Sequence, residues 1–532
     1  MAEVDSEPLD NNSFQSIRCK LGNDAVWEHL IAHPESAARV EELEMMRENP
    51  SGYRPLDEEE RVPAEILGST LSKASGKRPE QGPATREHAV HSEGLLIRAI
   101  HNMVNLASFT WDRWVPVINQ GDDVTRSRGR EYGNHTEQYR EDIWTVLRDR
   151  TQLRRLKVVD LGRRNACFTD PRPIFDSTLF TLGNLTHLDF KMYYSPEDPR
   201  EGENGADDED SDEELLLPRV KVERIYELLR RCPDIQTLRL AIIDRDFYWN
   251  LDGNPYTNIS LIFSHLHLSH ISSLTLQDVT VDDNIIVRFL NTHPSVRALS
   301  ASLSLSEEDL PETPFNLESN DGLYEGILPN ITSLHLPPKD LRPVLRALRR
   351  PSPITSLGIL EPQDWYAAEE LDDDENYVSS LDDVWGAPPE GQESEIGPSR
   401  GRDLHNLLTD MPDLRELTIM NVTTFAQLHK LASLTPNLES VTSIGKHIHT
   451  SYVDPHFEYL PHLSRWPYLR SLKGPCLWPE GYGIHSSKIK EVTIEIAAAC
   501  RRLSEASWLD GKLVKIVRRE DGEAELEFMH PQ

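Results

Sequence analysis

The chain has 532 residues, 38% of them hydrophobic, and carries a formal net charge of −33 at pH 7. This length provides for a large core or for roughly two to four ordinary domains, and the lack of any long apolar run argues against a membrane span. The acidic balance, opposed by only a small cluster at Arg126, Arg128 and Arg130, argues against nucleic-acid binding.

Composition divides the chain into a polar start, two caps, a linker and a long central region. The start is acidic, so we expect it to be disordered and not a signal peptide, and the linker is rich in Pro, Glu, Lys and Ser. The segments are residues 1–12 (disordered start), 13–47 (N-terminal cap), 48–90 (linker or loop), 91–483 (repeat region with acidic insertions 196–217 and 361–402) and 484–532 (C-terminal cap with a hairpin).

One short motif recurs along the repeat region: a proline, an aliphatic residue two positions later and another aliphatic residue three positions after that. It is typical of a turn followed by a short strand whose alternate side chains point inward. Copies without this proline spacing begin at Val40, Leu106, Leu153, Leu185, Ile271 and Ile354. The six proline copies are Pro233-Ile235-Leu238, Pro294-Val296-Leu299, Pro329-Ile331-Leu334, Pro412-Leu414-Leu417, Pro436-Leu438-Val441 and Pro467-Leu469-Leu472.

Helical patterns separate these strand motifs. Leu341, Val344, Leu345 and Leu348 show the spacing of one helix face, and shorter versions begin at Ile143, Ile225 and Ile286. Successive motifs recur after a period typical of leucine-rich repeats, for example 24 residues from Leu414 to Leu438. The chain is therefore predicted to be α/β, a leucine-rich-repeat-like solenoid of short parallel strands alternating with helices. An ordinary α/β domain whose strands begin alike is the alternative.

The repeat is expected to be irregular. Leucine-rich repeats usually carry Asn or Cys three residues after the third apolar position, where the side chain bonds the turn backbone. This chain has other residues there, so we expect packing to hold its turns; the positions are Trp114, Leu161, Tyr193, Ile243, Val279, Lys339 and Val422.

Two insertions carry most of the negative charge. Residues 197–214 hold eleven acidic residues and one Arg, and residues 361–395 hold thirteen acidic residues and no Lys or Arg. Such runs repel themselves and bury little area, so we expect disordered spacers whose removal leaves the melting temperature within a few degrees. Mimicry of an acidic ligand and phosphorylation are the alternatives, and Ser211, which lies between acidic residues, suits an acid-directed kinase.

Signatures of catalysis are scarce. The chain contains no phosphate-binding loop, dinucleotide fingerprint, H-E-x-x-H motif or nucleophile elbow. The histidines of His265-x-His267-x-x-His270 and His447-x-His449 have spacings that could place imidazoles on one strand face. We favour the interpretation that they face solvent, because polar residues on strands commonly do so and no carboxylate partner is apparent. The five cysteines form no C-x-x-C pair, which is typical of a reducing compartment. We therefore expect an intracellular protein, cytoplasmic or nuclear, with no cofactor, and a metal-dependent enzyme is the weaker alternative.

The strand motifs also indicate which side chains point away from the core. Strand residues alternate between the two faces of a sheet, so the polar residue inside each motif is a candidate for the concave, protein-binding face. These candidates are Thr110, Lys157, Asp189, Lys191, Arg239, Thr275, Gln277, His335 and Thr418.

Both ends of the chain resemble one protein family. The stretches 13–19, 27–30, 33–35 and 36–40 resemble the junction in fungal F-box proteins where the F-box gives way to leucine-rich-like repeats. The repeat motifs, the stretch 105–111 and a closing hairpin over 513–528, with Asp521-Gly522 as its turn, are similar as well. The resemblance implies a substrate-recognition subunit of a cullin–RING ubiquitin ligase, in which the F-box docks a Skp-type adaptor and the repeats hold an unknown target.

The sequence departs from that family where the F-box should be. Residues 1–12 show no helical apolar pattern, and Val62-Pro63-Ala64-Glu65-Ile66-Leu67 imitates an F-box opening without the periodic continuation that a helical bundle needs. We therefore expect no adaptor binding by the chain as printed. A stand-alone interaction protein and a non-functional remnant of an F-box protein are the alternatives.

Overall fold

The computed structural model shows an α/β protein in which helices alternate with mostly parallel sheet strands. It divides into two compact units, Met1–Ile271 and Ser272–Gln532. The start at 1–12, both acidic insertions, Ser211 and the pair His447 and His449 lie outside the described residues. Those described are residues 14–46, 60–63, 65–66, 86–112, 142–161, 177–194, 220–244, 256–303, 313–317, 322–360, 408–420, 431–444, 461, 463–473, 486–507, 513–519 and 524–528.

The first unit contains a parallel sheet of six strands that follow one another in chain order. The strands are β1 Ser16–Lys20, β2 Glu42–Met46, β3 Ser108–Asp112, β4 Arg155–Leu161, β5 His187–Tyr194 and β6 Thr237–Asp244, and a two-residue strand β7, Thr257–Asn258, comes later. The helices are α1 Asp24–Ala32, α2 Pro34–Ala37, α3 Arg86–Asn102, α4 Ile143–Arg148, a 3-10 turn Thr178–Thr181, α5 Val222–Arg230 and α6 Ser260–His265.

The second unit continues the same plan and ends in an antiparallel hairpin. Its strands are β8 Ser273–Gln277, the short β9 Val279–Thr280, β10 Ala298–Ser302, β11 Ser333–Leu336, β12 Ser356–Ile359, β13 Glu416–Met420, β14 Ser440–Ile444, β15 Ser471–Lys473, β16 Glu505–Ser507, β17 Leu513–Arg518 and β18 Ala524–Phe528. Its helices are α7 Asp283–Thr292, α8 Pro338–Ala347 and α9 Ser486–Ala499.

Alternation of side chains builds the core. Phe109 and Trp111 of β3 are buried, and both rings contact the ring of Trp144 on α4, with centroids 6.3 and 5.9 Å apart. The residue between them, Thr110, is partly exposed on the other face of the strand. The strand motifs therefore bury their apolar residues against helices and leave the opposite face of each sheet, here called the outer face, to polar residues.

A repeated pair of backbone hydrogen bonds closes the turn before twelve of the described strands. The carbonyl of Glu41 accepts from the N–H of Ala107 at 2.8 Å and from that of Ser108 at 3.0 Å. The same arrangement recurs from one copy of the motif to the next, so each turn is fixed by the backbone of the preceding copy. The acceptor carbonyls belong to Gln15, Glu41, Ala107, Arg154, Thr186, Ser272, Arg297, Thr332, Thr355, Arg415, Glu439 and Arg470.

Asparagine side chains form a second set of hydrogen bonds between neighbouring copies of the motif. The Nδ2 groups of Asn105, Asn330 and Asn437 donate to carbonyls of the preceding copy at 2.8, 2.9 and 3.0 Å. Each Asn stands directly before the first aliphatic residue of its motif. The expectation that packing alone holds the turns was wrong, because the asparagines occupy a different place from the one usual in leucine-rich repeats.

The ends of the chain contain one confirmed element and two unexpected strands. The C-terminal hairpin forms as predicted, with Val514 opposite Phe528 and Ile516 opposite Leu526, while its turn lies outside the described residues. Strands β1 and β16 were not predicted from the motif. Among the described residues, no helix combines the length and the apolar character that a membrane crossing requires.

Candidate functional site

Register on the outer face of the first unit brings four predicted residues into one row. Thr110 pairs with Lys157, Lys157 with Asp189, and Asp189 with Arg239, on adjacent strands β3 to β6. Lys191 lies two residues after Asp189 on β5 and therefore on the same face. The structure thus assembles five of the nine predicted residues on one surface.

Asp189 lies among three of these cations. The Nε atom of Arg239 is 3.8 Å from its Oδ1, beyond hydrogen-bond distance, and that oxygen is buried and accepts no hydrogen bond from the described residues. Burial raises the pKa of Asp189 above its usual value, although Arg239, Lys157 and Lys191 each act to lower it. Lys157 and Arg239 flank Asp189 on the adjacent strands and Lys191 follows it on the same face, so all three side chains lie near this carboxylate.

A fourth cation lies on the same strands. Arg155 is the first residue of β4, is exposed, and approaches Glu42 at 3.9 Å. Burial lowers the pKa of its neighbour His187, and the charge of Arg155 lowers it further, so the imidazole is neutral at pH 7. We call Arg155, Lys157, Lys191 and Arg239 the cationic cluster. Together with Asp189 and with Glu42, which approaches Arg155, it has a net charge of +2 (four cations and two carboxylates) in a chain of net charge −33.

The first three strands of this unit have no such surplus. Arg18 on β1 forms an ion pair with Glu44 on β2 at 3.2 Å, and Glu42 and Asp112 add further negative charge on β2 and β3. Both partners of the pair lie on the outer face, in the row that continues to Thr110. The positive charge is therefore confined to β4, β5 and β6.

The outer face of the second unit has a different chemistry. Its central row passes from Thr275 on β8 through Ser300 to His335, Gly358 and Thr418 on successive strands. Gln277 lies two residues after Thr275, opposite Ser302. The neighbouring row is mostly serine, and it ends at Glu505, whose pKa is lowered by a hydrogen bond from Ser471 and by Lys473. Small hydroxyl side chains dominate this face.

His335 is the one large side chain in the middle of the central row, which runs from Thr275 to Thr418. Its Nε2 is 3.1 Å from the hydroxyl of Ser356, and burial lowers its pKa, an effect that Glu416 partly offsets. The ring lies directly over Gly358, where an added Cβ would overlap its Nδ1 and Cγ atoms. Glycine at this position therefore makes the space in which the imidazole rests.

Gly358→Ala should accordingly destabilise the protein by about 1–3 kcal/mol, because the new methyl group displaces the ring of His335. In a His335→Ala background the same substitution should cost much less. Chemical denaturation of the wild type, both single variants and the double variant measures this coupling. Equal costs of Gly358→Ala in the two backgrounds would show that the ring does not set the requirement for glycine.

The predicted histidine group does not form a strand surface. His265 ends helix α6, His267 follows it in a loop, and both are exposed. His270 is also exposed, 3.8 Å from Asp234. Nowhere in the described part of the chain do three His, Cys, Asp or Glu side chains come together as a metal ion would require. His265, His267 and His270 therefore do not share a strand face, and their exposure agrees with the preferred interpretation that they face solvent.

The two residues directly before the segment that imitates an F-box opening lie against strand β1. Arg61 exchanges two backbone hydrogen bonds with Arg18, at 3.0 and 2.8 Å, and the side chain of Glu60 accepts from the N–H of Lys20. Ile66 is only 1% exposed. These contacts cover the edge of the sheet, and Ile66 is not available as part of an apolar docking surface.

The described cysteines have a structural role. Cys19, Cys232 and Cys500 are buried and unpaired, and burial raises the pKa of Cys232 to about 11 and that of Cys500 to about 12. They are therefore protonated at neutral pH and fill the core. In comparisons with known proteins, no family model matches the chain, and no curated protein matches it either.

Proposed function

We propose that this chain is a protein-binding scaffold of leucine-rich-repeat-like solenoid type, and that the outer face of its strands holds the partner. The observation that carries the proposal is the register, which aligns polar side chains of successive strands in rows opposite the helices. Side chains held in a rigid row, one on each successive strand, can make many weak contacts with an extended partner surface. Repeat proteins bind their partners through surfaces of this kind. The unpaired thiols support an intracellular location.

The resemblance to fungal F-box proteins makes target recognition for a cullin–RING ubiquitin ligase the specific form of this proposal. A stand-alone interaction protein is the second candidate, and the burial of Ile66 favours it, because this residue of the F-box-like segment is not free to join an apolar docking surface. The two candidates use the same outer face and differ in whether a Skp-type adaptor joins the complex.

Substitutions on the outer face should abolish capture of the partner. The three variants Thr110→Trp, Thr275→Trp and Thr418→Trp are tested singly. We expect at least one of them to co-purify with about tenfold less of a specific partner protein than the wild type does. Glu223→Trp, on an exposed position of helix α5, is the matched control and should retain it. Quantitative affinity purification from cells measures the effect. Loss with Glu223→Trp alone would place the binding surface on the helices and contradict the proposal.

The adaptor provides the test between the two candidates. We expect the chain as printed not to co-purify with a Skp-type adaptor, and a fusion that carries a family F-box ahead of Ser13 to do so. Both forms should capture the same partner, since the outer face is unchanged. Robust adaptor binding by the printed chain would contradict this expectation.

A further inference from the structure

We propose that the cationic cluster on β4, β5 and β6 binds an acidic, extended stretch of the partner protein, with Asp and Glu carboxylates in contact with Lys157 and Arg239. The inference rests on the proposed function and adds the chemistry of the partner. It starts from the local charge: among the described residues, one surface of this strongly acidic chain carries four cations with two carboxylates, Asp189 and Glu42, beside them.

The described residues compensate this charge only in part. Asp189 lies beside Arg239 without a hydrogen bond between its buried Oδ1 and the guanidinium, and Glu42 approaches Arg155 at 3.9 Å. Neither Lys157 nor Arg239 forms a hydrogen bond with any other described residue, and both are exposed. Like charges held close together repel, so an anionic ligand would gain from each cation and would relieve their repulsion.

The spacing of the cluster fits several carboxylates better than one compact anion. Neighbouring strands lie about 4.8 Å apart, which places Lys157 and Arg239, two strands apart in one row, about 10 Å from each other. Arg155 and Lys191 lie in the rows on either side, about 6.6 Å along the strands. An extended peptide repeats the side chains of one side about every 6.6 Å, which matches the spacing of the cations along the strands. Carboxylates at alternate positions can therefore reach successive cations.

A peptide fits this surface better than a nucleic acid does. Nucleic-acid binding depends on neutralising many phosphates with cations, whereas this cluster has four cations with a carboxylate among them. The net charge of −33 also repels a long polyanion. A short acidic peptide can bind the local positive surface, and because it carries fewer negative charges than a long polyanion, the rest of the chain repels it less.

The test uses the full chain and a fluorescein-labelled peptide of twelve residues that alternates Glu and Ser, with a Gln and Ser peptide of equal length as its control. Fluorescence anisotropy should show binding of the Glu peptide only, weakening as salt is raised. Lys157→Glu combined with Arg239→Glu should weaken binding at least tenfold. The matched double variant Arg349→Glu with Arg465→Glu reverses two exposed arginines of the second unit and should leave binding within about twofold.

Asp189→Asn should change the affinity for the Glu peptide in the opposite direction, and it therefore distinguishes an effect of charge from damage to the structure. Removing the carboxylate raises the surplus positive charge, so this variant should bind the Glu peptide several-fold more tightly. A substitution that merely damaged the surface would weaken binding instead. Circular dichroism and the melting temperature of each variant show that the fold is retained.

Three results would overturn the inference: equal binding by the Lys157→Glu/Arg239→Glu variant, equal or tighter binding of a single-stranded oligonucleotide of the same charge, or preference for a peptide with a single phosphoserine. The proposed function fails differently. If the tryptophan variants of the outer face lose the cellular partner while the charge-reversal variant keeps it, the scaffold stands and the acidic partner does not. If the outer-face variants all keep it, the scaffold itself is wrong.

Discussion

Leu238→Ala should lower the stability of the first unit by about 2–5 kcal/mol, one of the two largest effects expected from a single substitution. Leu238 is fully buried on β6 and pairs in register with Leu188 on β5. Truncation removes its apolar contacts and leaves a cavity that the closely packed core around it cannot easily close.

Hydrogen exchange of the amides in β5 and β6 measures this loss locally, together with chemical denaturation. Leu238→Met keeps the volume and should cost less than about 1.5 kcal/mol. Thr237→Ala, one residue earlier and partly exposed, is the positional control. A cost of Leu238→Ala no greater than that of Thr237→Ala would show that the motif leucines do not form the core.

Asp340→Ala should destabilise the second unit by about 2–4 kcal/mol. Asp340 lies in the first turn of α8 and is completely buried. Its two carboxylate oxygens accept hydrogen bonds from the N–H groups of Leu317 at 2.8 Å and Phe315 at 3.1 Å. Alanine would leave both buried donors without this acceptor, and such donors are costly when water cannot reach them.

Two matched variants separate the hydrogen bonds from the helix itself. Asp340→Asn keeps the shape but replaces one acceptor by a donor, so it should recover only part of the lost stability. Lys339→Ala changes the adjacent exposed position and should cost less than about 0.5 kcal/mol. Thermal unfolding followed by circular dichroism measures all three. If Asp340→Ala had no greater effect than Lys339→Ala, residues 313–317 would not depend on this carboxylate.

The strands could be predicted where the motif is apolar throughout. Leu238, Leu334 and Leu417 are buried as expected, because alternation on a strand with one covered face leaves little choice of residue. Strand β1 was not predicted because its motif consists of Phe14, Ile17 and Cys19. Strand β16 was not predicted because its central residue is Ala506. Both are buried copies in which phenylalanine and cysteine (β1) or alanine (β16) stand where the motif usually has leucine.

The candidate site could be predicted only one strand at a time. Alternation identified Lys157, Asp189 and Arg239 as outward residues, but their meeting depends on register between strands that lie far apart in the sequence. Arg155 was missed because it precedes the first apolar residue of its strand. The fit of His335 over Gly358 was hidden as well, since a glycine in a strand does not reveal which neighbour needs the space.

The paired hydrogen bonds before twelve of the described strands affect how the sequence of such a chain can change during evolution. Every acceptor is a backbone carbonyl, and its owners include Gln, Glu, Ala, Arg, Thr and Ser. A junction built from backbone atoms places almost no demand on side-chain identity, so substitutions can accumulate at these positions while the geometry of the turn is kept. Natural selection then acts mainly on apolar character inside the strands, and two chains of this design can become unrecognisable to each other in sequence long before they differ in architecture.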